Sequence, residues 1–313
     1  MSYLLNRTLS MLLTLFLISA ITFTVTNILP GDVAMMIMGT QSNPEALAGL
    51  RQSLGLNDPL LVQYGRWIGG MLSGDWGTSL VFKEPIAPLL LNKMKASGLI
   101  VVLSMTIALS CAVPMGVWAA VHANRWQDTA SSSASLIGVS LPDFFWGIML
   151  ILLFARWLGW LPSSGFVDPS EDVLGAIRHA FLPSLALGLG LMAHLTRMTR
   201  ATMTGILNQE FIRVARAKGL GERTVVWRYA LANAVGPVIT VAGLQVGYLF
   251  GSIIVIESLF NFTGMGWLTY QALLNRDIPL IQACVFVIAA VVMLTNLIVD
   301  LLYVVVDPRI QLS

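Results

Sequence analysis

Three carboxylates, Asp143, Glu257 and Asp300, stand within long apolar stretches or at their edges. Two carboxylates at one depth could exchange protons or run general acid–base chemistry. These three fall on different stretches at different depths, so they make no catalytic pair. His122, His179 and His194 are scattered without metal-ligand spacing, and Cys111 and Cys284 each sit inside a separate apolar stretch, as buried thiols do. No phosphate loop, GxSxG elbow or HExxH motif occurs. The chain therefore carries no residues for ATP chemistry, no metal site and no catalytic set of its own.

One segment does carry a pattern. Gln209–Thr240 is the only long polar, basic run between apolar spans, with Arg213, Arg216, Lys218, Arg223 and Arg228 against Glu210 and Glu222. Glu210–Lys218 reads as one helix with Phe211, Val214 and Ala215 on a shared face, and Gly219 stands where a helix stops. After Leu220-Gly221 a second amphipathic run begins, with Val225, Val226, Tyr229 and Ala230 at helical spacing. It leads through Gly236-Pro237 into the next apolar span. Helix, glycine break and helix form a docking knob for a cytosolic partner, or else simply a basic cytoplasmic loop.

The surrounding composition is that of a membrane protein. The 313 residues are 56% hydrophobic and 11% charged, and a net charge of +2 gives no footing for nucleic acid. Leu9–Leu29 is free of charge and long enough for a bilayer core of about 30 Å, which takes about 20 helical residues. It exceeds the apolar core of a signal peptide, about 7–15 residues, and is expected to stay as an anchor. Further spans are expected at Gly98–Val121, Ala134–Leu158, Ile177–Thr196, Gly236–Phe260 and Ile281–Val306. The fold class is thus all-α integral membrane with six transmembrane helices. Its parts are an N-terminus and first span (1–30), an extended outer loop (31–97) and a five-helix core (98–313) with a cytoplasmic loop at 197–235.

Lysine and arginine counts in the connections set the orientation. Gly159–Ala176 has neither and Asn261–Leu280 has only Arg276, whereas Arg197–Val235 has seven. Arg7, Arg125 and Arg309 lie beside span ends on that same face, so both termini are expected in the cytoplasm. The long outer loop also holds basic residues, but loops beyond about 60 residues escape the rule. Within it Asn43 can cap a helix that has Pro44 and Glu45 in its first turn and Gly55 past its end. Asp58-Pro59 opens another, striped by Leu60, Leu61, Tyr64, Trp67 and Ile68. Gly74–Ser79, with Asp75, Trp76 and Gly77, is a turn. These pieces cannot bury a core alone and should lie on the outer face of the membrane domain.

Inside the membrane, Pro142 kinks the third span and Asp143 follows it, where a charge must face a cavity or a partner. A substrate amine or a backbone donor beside the kink would serve. On the fifth span Gly243, Gly247 and Gly251 recur every four residues with Gln245 nearby, forming a groove for a neighbouring backbone or a pathway. Counting about 1.5 Å per residue from the inner end puts Glu257 at the outer mouth, bonded to a gate or facing water.

Several short motifs in order carry a resemblance. Ala215–Leu220 reads ARAKGL, followed by Ala232–Val238, ANAVGPV. Pro30–Asp32 is PGD, Leu54–Leu60 LGLNDPL and Gly74–Ser79 GDWGTS. Asn275–Pro279 is NRDIP, and the chain closes on NLIVDLLY at Asn296–Tyr303 and DPR at Asp307–Arg309. From Pro30 to Arg309 the chain resembles permease subunits of binding-protein-dependent ABC importers, in the dipeptide, oligopeptide and nickel group. Ala232 stands where the family commonly has arginine, and Arg213-Val214-Ala215 replaces the wider superfamily's Glu-Ala-Ala.

The resemblance implies a type I ABC importer permease fold in the bacterial inner membrane, and a peptide, nickel chelate or related small solute as cargo. It implies a second homologous permease, two ATP-binding subunits that hold ATP and magnesium, and an extracytoplasmic binding protein. Arg213, Val214, Ala215, Arg216, Ala217, Lys218, Gly219, Leu220 and Gly221 would then seat in the ATPase. Asp75, Trp76 and Gly77 would form a lid toward the binding protein, and Asp143, Gly243, Gln245, Gly247, Gly251 and Glu257 would line the path or gate. A secondary transporter driven by an ion gradient is the alternative; it would need midplane ionisable clusters or inverted repeats, of which only Asp143 gives a hint.

Overall fold

A computed structural model describes residues 2–28, 33–38, 43–53 and 55–306. The PGD and DPR motifs lie outside the described residues, as does Leu54. The described residues are helical almost throughout: α1 (Ser2–Ile28), α2 (Val33–Met38), α3 (Pro44–Ser53), α4 (Leu60–Ser73), α5 (Ile86–Val121), α6 (Trp126–Ser140), α7 (Asp143–Leu150, continued by a widened turn to Trp157), α8 (Val173–Leu207), α9 (Glu210–Ala217), α10 (Glu222–Thr224, continued by a widened turn to Ala230), α11 (Leu231–Leu259), α12 (Met265–Leu274) and α13 (Ile278–Val306). Among the described residues five elements are long and apolar enough to cross a membrane: Leu5–Ile28, Ile86–Val121, Val173–Leu207, Glu222–Leu259 and Ile278–Leu301. A sixth crossing is made if α6 and α7 count together.

That third span is broken rather than kinked. Leu141 adopts extended backbone (φ −99°, ψ 131°), as the residue before a proline prefers. The axes of α6 and α7 consequently differ by 99°. The second span differs too: α5 starts at Ile86, inside the segment expected as outer loop.

The chain divides into two compact units, residues 1–95 with Gly264–Met293, and residues 96–263 with 294–313. In the first, Asn43 Oδ1 accepts from Glu45 N (3.1 Å) at the start of α3, and Gly74 closes α4 in the left-handed region (φ 89°). Tyr64 and Trp67 of α4 pack on Phe23 of α1, and the Tyr64 hydroxyl bonds Ser19 Oγ at 2.7 Å. Helix α4 thus lies along the flank of α1, at residues well inside the expected first span, rather than only capping its end. Ile86, Leu90, Met265, Leu268, Leu280 and Cys284 form this unit's apolar core. In the second unit α8 is the hub: α6, α7 and α11 all pack on it. Gly116 lets α5 approach α8, where a Cβ would lie 2.8 Å from the Thr196 carbonyl.

Candidate functional site

The basic segment is a helical elbow held against its own membrane helices. Helix α9 turns Ile212 and Ala215 inward, both buried, onto Met203 and Ile206 of α8, Val117 and Ala120 of α5, and Val225 and Val226. The face expected from the sequence is therefore divided. Ala215 belongs to the chain's own core, whereas Phe211 and Val214 point outward, 39% and 47% exposed. Arg213, Ala217 and Lys218 are exposed beside them.

Gly219 makes the turn in the left-handed region (φ 76°), where a side chain would strain the backbone, and Leu220 folds back onto the apolar cluster. Arg216 closes the elbow by donating through Nε (3.0 Å) and Nη2 (2.6 Å) to the two oxygens of Glu222. That carboxylate holds the Arg216 guanidinium above its ordinary value. Past Gly221 the helix is continuous: Glu222–Leu259 runs through the widened turn and through Gly236-Pro237 without a break. The second arm of the elbow is thus a direct extension of the fifth span.

A second lock, absent from the sequence reading, sits on α8 near the elbow. Asp128 in the first turn of α6 receives both Arg200 Nε and Arg200 Nη2, the latter at 2.6 Å, and its Oδ2 also accepts from Asn124 N at 3.0 Å. The two partners lie 72 residues apart, so no local pattern announces the pair.

The residues expected along a pathway separate into groups. Asp143 is the first residue of α7, where a negative charge suits the helix start. It is half-buried, and Tyr248 Oη of α11 donates to its Oδ2 at 3.0 Å, so its partner is a side chain of the fifth span rather than a backbone donor. The three glycines of α11 do not share one groove. Four residues advance a helix by about 40° beyond a full turn, and the drift separates them. Gly243 is pressed against Val299 of α13 with no room for a side chain, Gly247 is half-buried, and Gly251 faces open space on the exposed side. Gln245 is half-buried between them. Glu257 is fully buried and takes a 2.5 Å hydrogen bond from Ser97 Oγ of α5. It faces neither water nor an open mouth, because the register that puts it near the helix end also turns it inward.

In the first unit the residues expected as a lid are tied down. Asp75 Oδ1 accepts from Gly77 N at 3.0 Å, and Trp76 meets Phe286 edge-on at 6.5 Å. The turn is anchored by Asp277 of the NRDIP motif, which is fully buried. Its Oδ2 accepts from Ser79 Oγ (2.6 Å) and Val81 N (3.1 Å), and Leu280 N approaches Oδ1 at 3.3 Å.

Among the described residues the chain is a helical bundle with up to six membrane crossings and a polar elbow joined to one of them, a membrane-embedded component. The family described as the binding-protein-dependent transport system inner membrane component matches residues 112–312, and the N-terminal family of the same membrane components matches residues 1–81. The chain belongs to this family, the permeases of binding-protein-dependent ABC importers. It is 36% identical to the dipeptide transport system permease protein DppB of Alkalihalophilus pseudofirmus, with 99% of each chain covered. It is 37% identical to the glutathione transport system permease protein GsiC of Escherichia coli K12, again over 99% of each. A chain of the MetNI methionine ABC transporter, solved in inward-facing conformations, superposes with a TM-score of 0.55 at 15% identity, covering 71% of this chain and 98% of that one. That likeness establishes the fold.

Proposed function

We propose that this chain moves short peptides across the bacterial inner membrane, driven by ATPase subunits that dock on Arg213–Gly221. The carrying observation is the elbow: Phe211 and Val214 face outward while Ile212 and Ala215 fasten α9 to α5, α8 and the start of the α11 element. A push on the outward face would pass through packed side chains into α8 and along an unbroken helix into α11. Apolar residues at the centre of an exposed basic patch suit a protein partner, since exposed Phe and Val favour burial and the arginines favour an acidic rim.

In this reading two ATP-binding subunits hold the ATP and magnesium, and this chain binds neither. A second homologous permease completes the pathway, and an extracytoplasmic binding protein delivers cargo to the outer side. Both termini and the elbow face the cytoplasm. The relatives named for dipeptide and glutathione transport favour a short peptide as cargo. Mild-detergent purification through a tag on this chain tests the assembly. ATPase subunits and a second permease are expected to copurify, with hydrolysis stimulated by peptide-loaded binding protein; a chain that purifies alone after native expression would contradict it.

A further inference from the structure

One face of α8 is met by a carboxylate from α7 and, two turns further on, carries cationic side chains of its own. Gly190, His194, Arg197 and Ala201 share that face at helical spacing. At the Gly190 end lies the Asp143 carboxylate. Tyr248 holds its Oδ2, whereas Oδ1 lies over Gly190, where a Cβ would come within 2.9 Å of it, and no donor among the described residues reaches it. Seven residues further, a rise of about 10 Å, His194 and Arg197 line a cavity of about 710 Å³ between α6, α8 and α11, together with Leu136, Arg200 and Val241. The charge of Arg200 is compensated by Asp128. His194 and Arg197 are exposed and have no hydrogen-bond or ion-pair partner among the described residues.

We infer that Asp143 with Tyr248, and His194 with Arg197, are the two poles of a track that receives a peptide by its free ends, the amino terminus at Asp143 and the carboxylate at Arg197. This rests on the peptide-importer reading. A peptide of two to three residues, extended at about 3.3–3.6 Å per residue, brings its termini to the right separation once side-chain reach is included. An arginine guanidinium suits a carboxylate by its two-pronged donor geometry, and a carboxylate beside a hydroxyl suits an ammonium group. On the α11 side Val241, Leu244 and Tyr248 share a face at helical spacing between the cavity and Asp143, and Leu244 and Tyr248 are exposed, which leaves room for variable side chains. Selection is thus directed at what all short peptides share.

The test is ATP-driven uptake into proteoliposomes holding the complete importer, with its binding protein loaded to equal occupancy by one tripeptide in free, N-acetylated and C-amidated forms. Wild type is expected to move the free peptide about tenfold faster than either capped form, the scale of one lost charge-assisted bond. Arg197→Gln should bring the free-to-amidated ratio close to one while keeping the free-to-acetylated ratio, and Asp143→Asn should do the reverse. Arg197→Lys should restore part of the first ratio. Equal loss for all three peptides, or wild-type indifference to the caps, overturns the inference and leaves the importer reading standing. An Arg197→Gln effect that follows the fraction of anionic lipid instead of the peptide's carboxyl end overturns it in favour of a lipid headgroup. If wild type takes up no peptide at all, the importer reading fails and the inference with it.

Discussion

Removing the outward apolar pair of α9, Phe211→Ala with Val214→Ala, should detach the motor without disturbing the membrane bundle. Phe211 is 39% exposed. A phenylalanine offers about 200 Å² in all, so close to 80 Å² of it remains to be covered, or about 2 kcal/mol at about 25 cal/mol per Å². Half of a valine side chain adds about 1 kcal/mol on the same scale. The sum, about 3 kcal/mol, weakens ATPase docking by a factor on the order of one hundred. The fold should hardly notice, because neither side chain belongs to the buried cluster and surface changes usually stay within about 0.5 kcal/mol. Ala215→Glu makes the contrast: it forces a carboxylate into the contact with Val225 and Val226 and should dislodge α9 itself. The assay measures ATPase retention during purification, thermal stability of the detergent-solubilised permease and peptide uptake. The double variant should keep its stability and lose ATPase and uptake; Ala215→Glu should lose all three. Wild-type ATPase affinity in the double variant would refute the assignment of the outward face.

Asp277→Ala leaves the Ser79 hydroxyl and the Val81 amide without their acceptor, and should destabilise the first unit by about 3 kcal/mol. Limited proteolysis of the 74–85 segment reads this out, and an unchanged cleavage rate would count against it. Gly243→Ala puts a methyl group into Val299 and should cost about 1–3 kcal/mol through overpacking. Val299→Ala in the same chain should recover much of the loss in thermal midpoint; additive losses would show that the two positions do not meet.

The elements were largely legible because long apolar runs and glycine or proline breaks are local signals. The elbow was legible too: Gly219 and the basic run mark its bend. Its inner and outer faces were not, because Phe211, Ile212, Val214 and Ala215 offer two overlapping apolar stripes on a short helix, and only packing on α5 and α8 selects between them. Pro142 announced a deformation of the third span, but its size depends on α7 seating against α8 and α11. Both the GDWGTS turn and the NRDIP motif are local patterns, yet their junction through Asp277 spans 198 residues and has none. Asp128 with Arg200, and Glu257 with Ser97, are likewise distant in the chain and leave no local pattern. Counting rise along a helix gave Glu257 a depth but not a direction.

This chain is expected to move peptide only when a separate ATP-hydrolysing subunit works through the α9 elbow. The direct measurement is the accumulation of a labelled tripeptide in sealed vesicles holding this chain and its partner permease, with binding protein, an imposed proton gradient and ATP supplied, and the ATPase subunits present or left out. Accumulation against a gradient only when the ATPase subunits are present is the expected result. Uphill accumulation without them, driven by the ion gradient alone, would show that the chain is a secondary transporter instead.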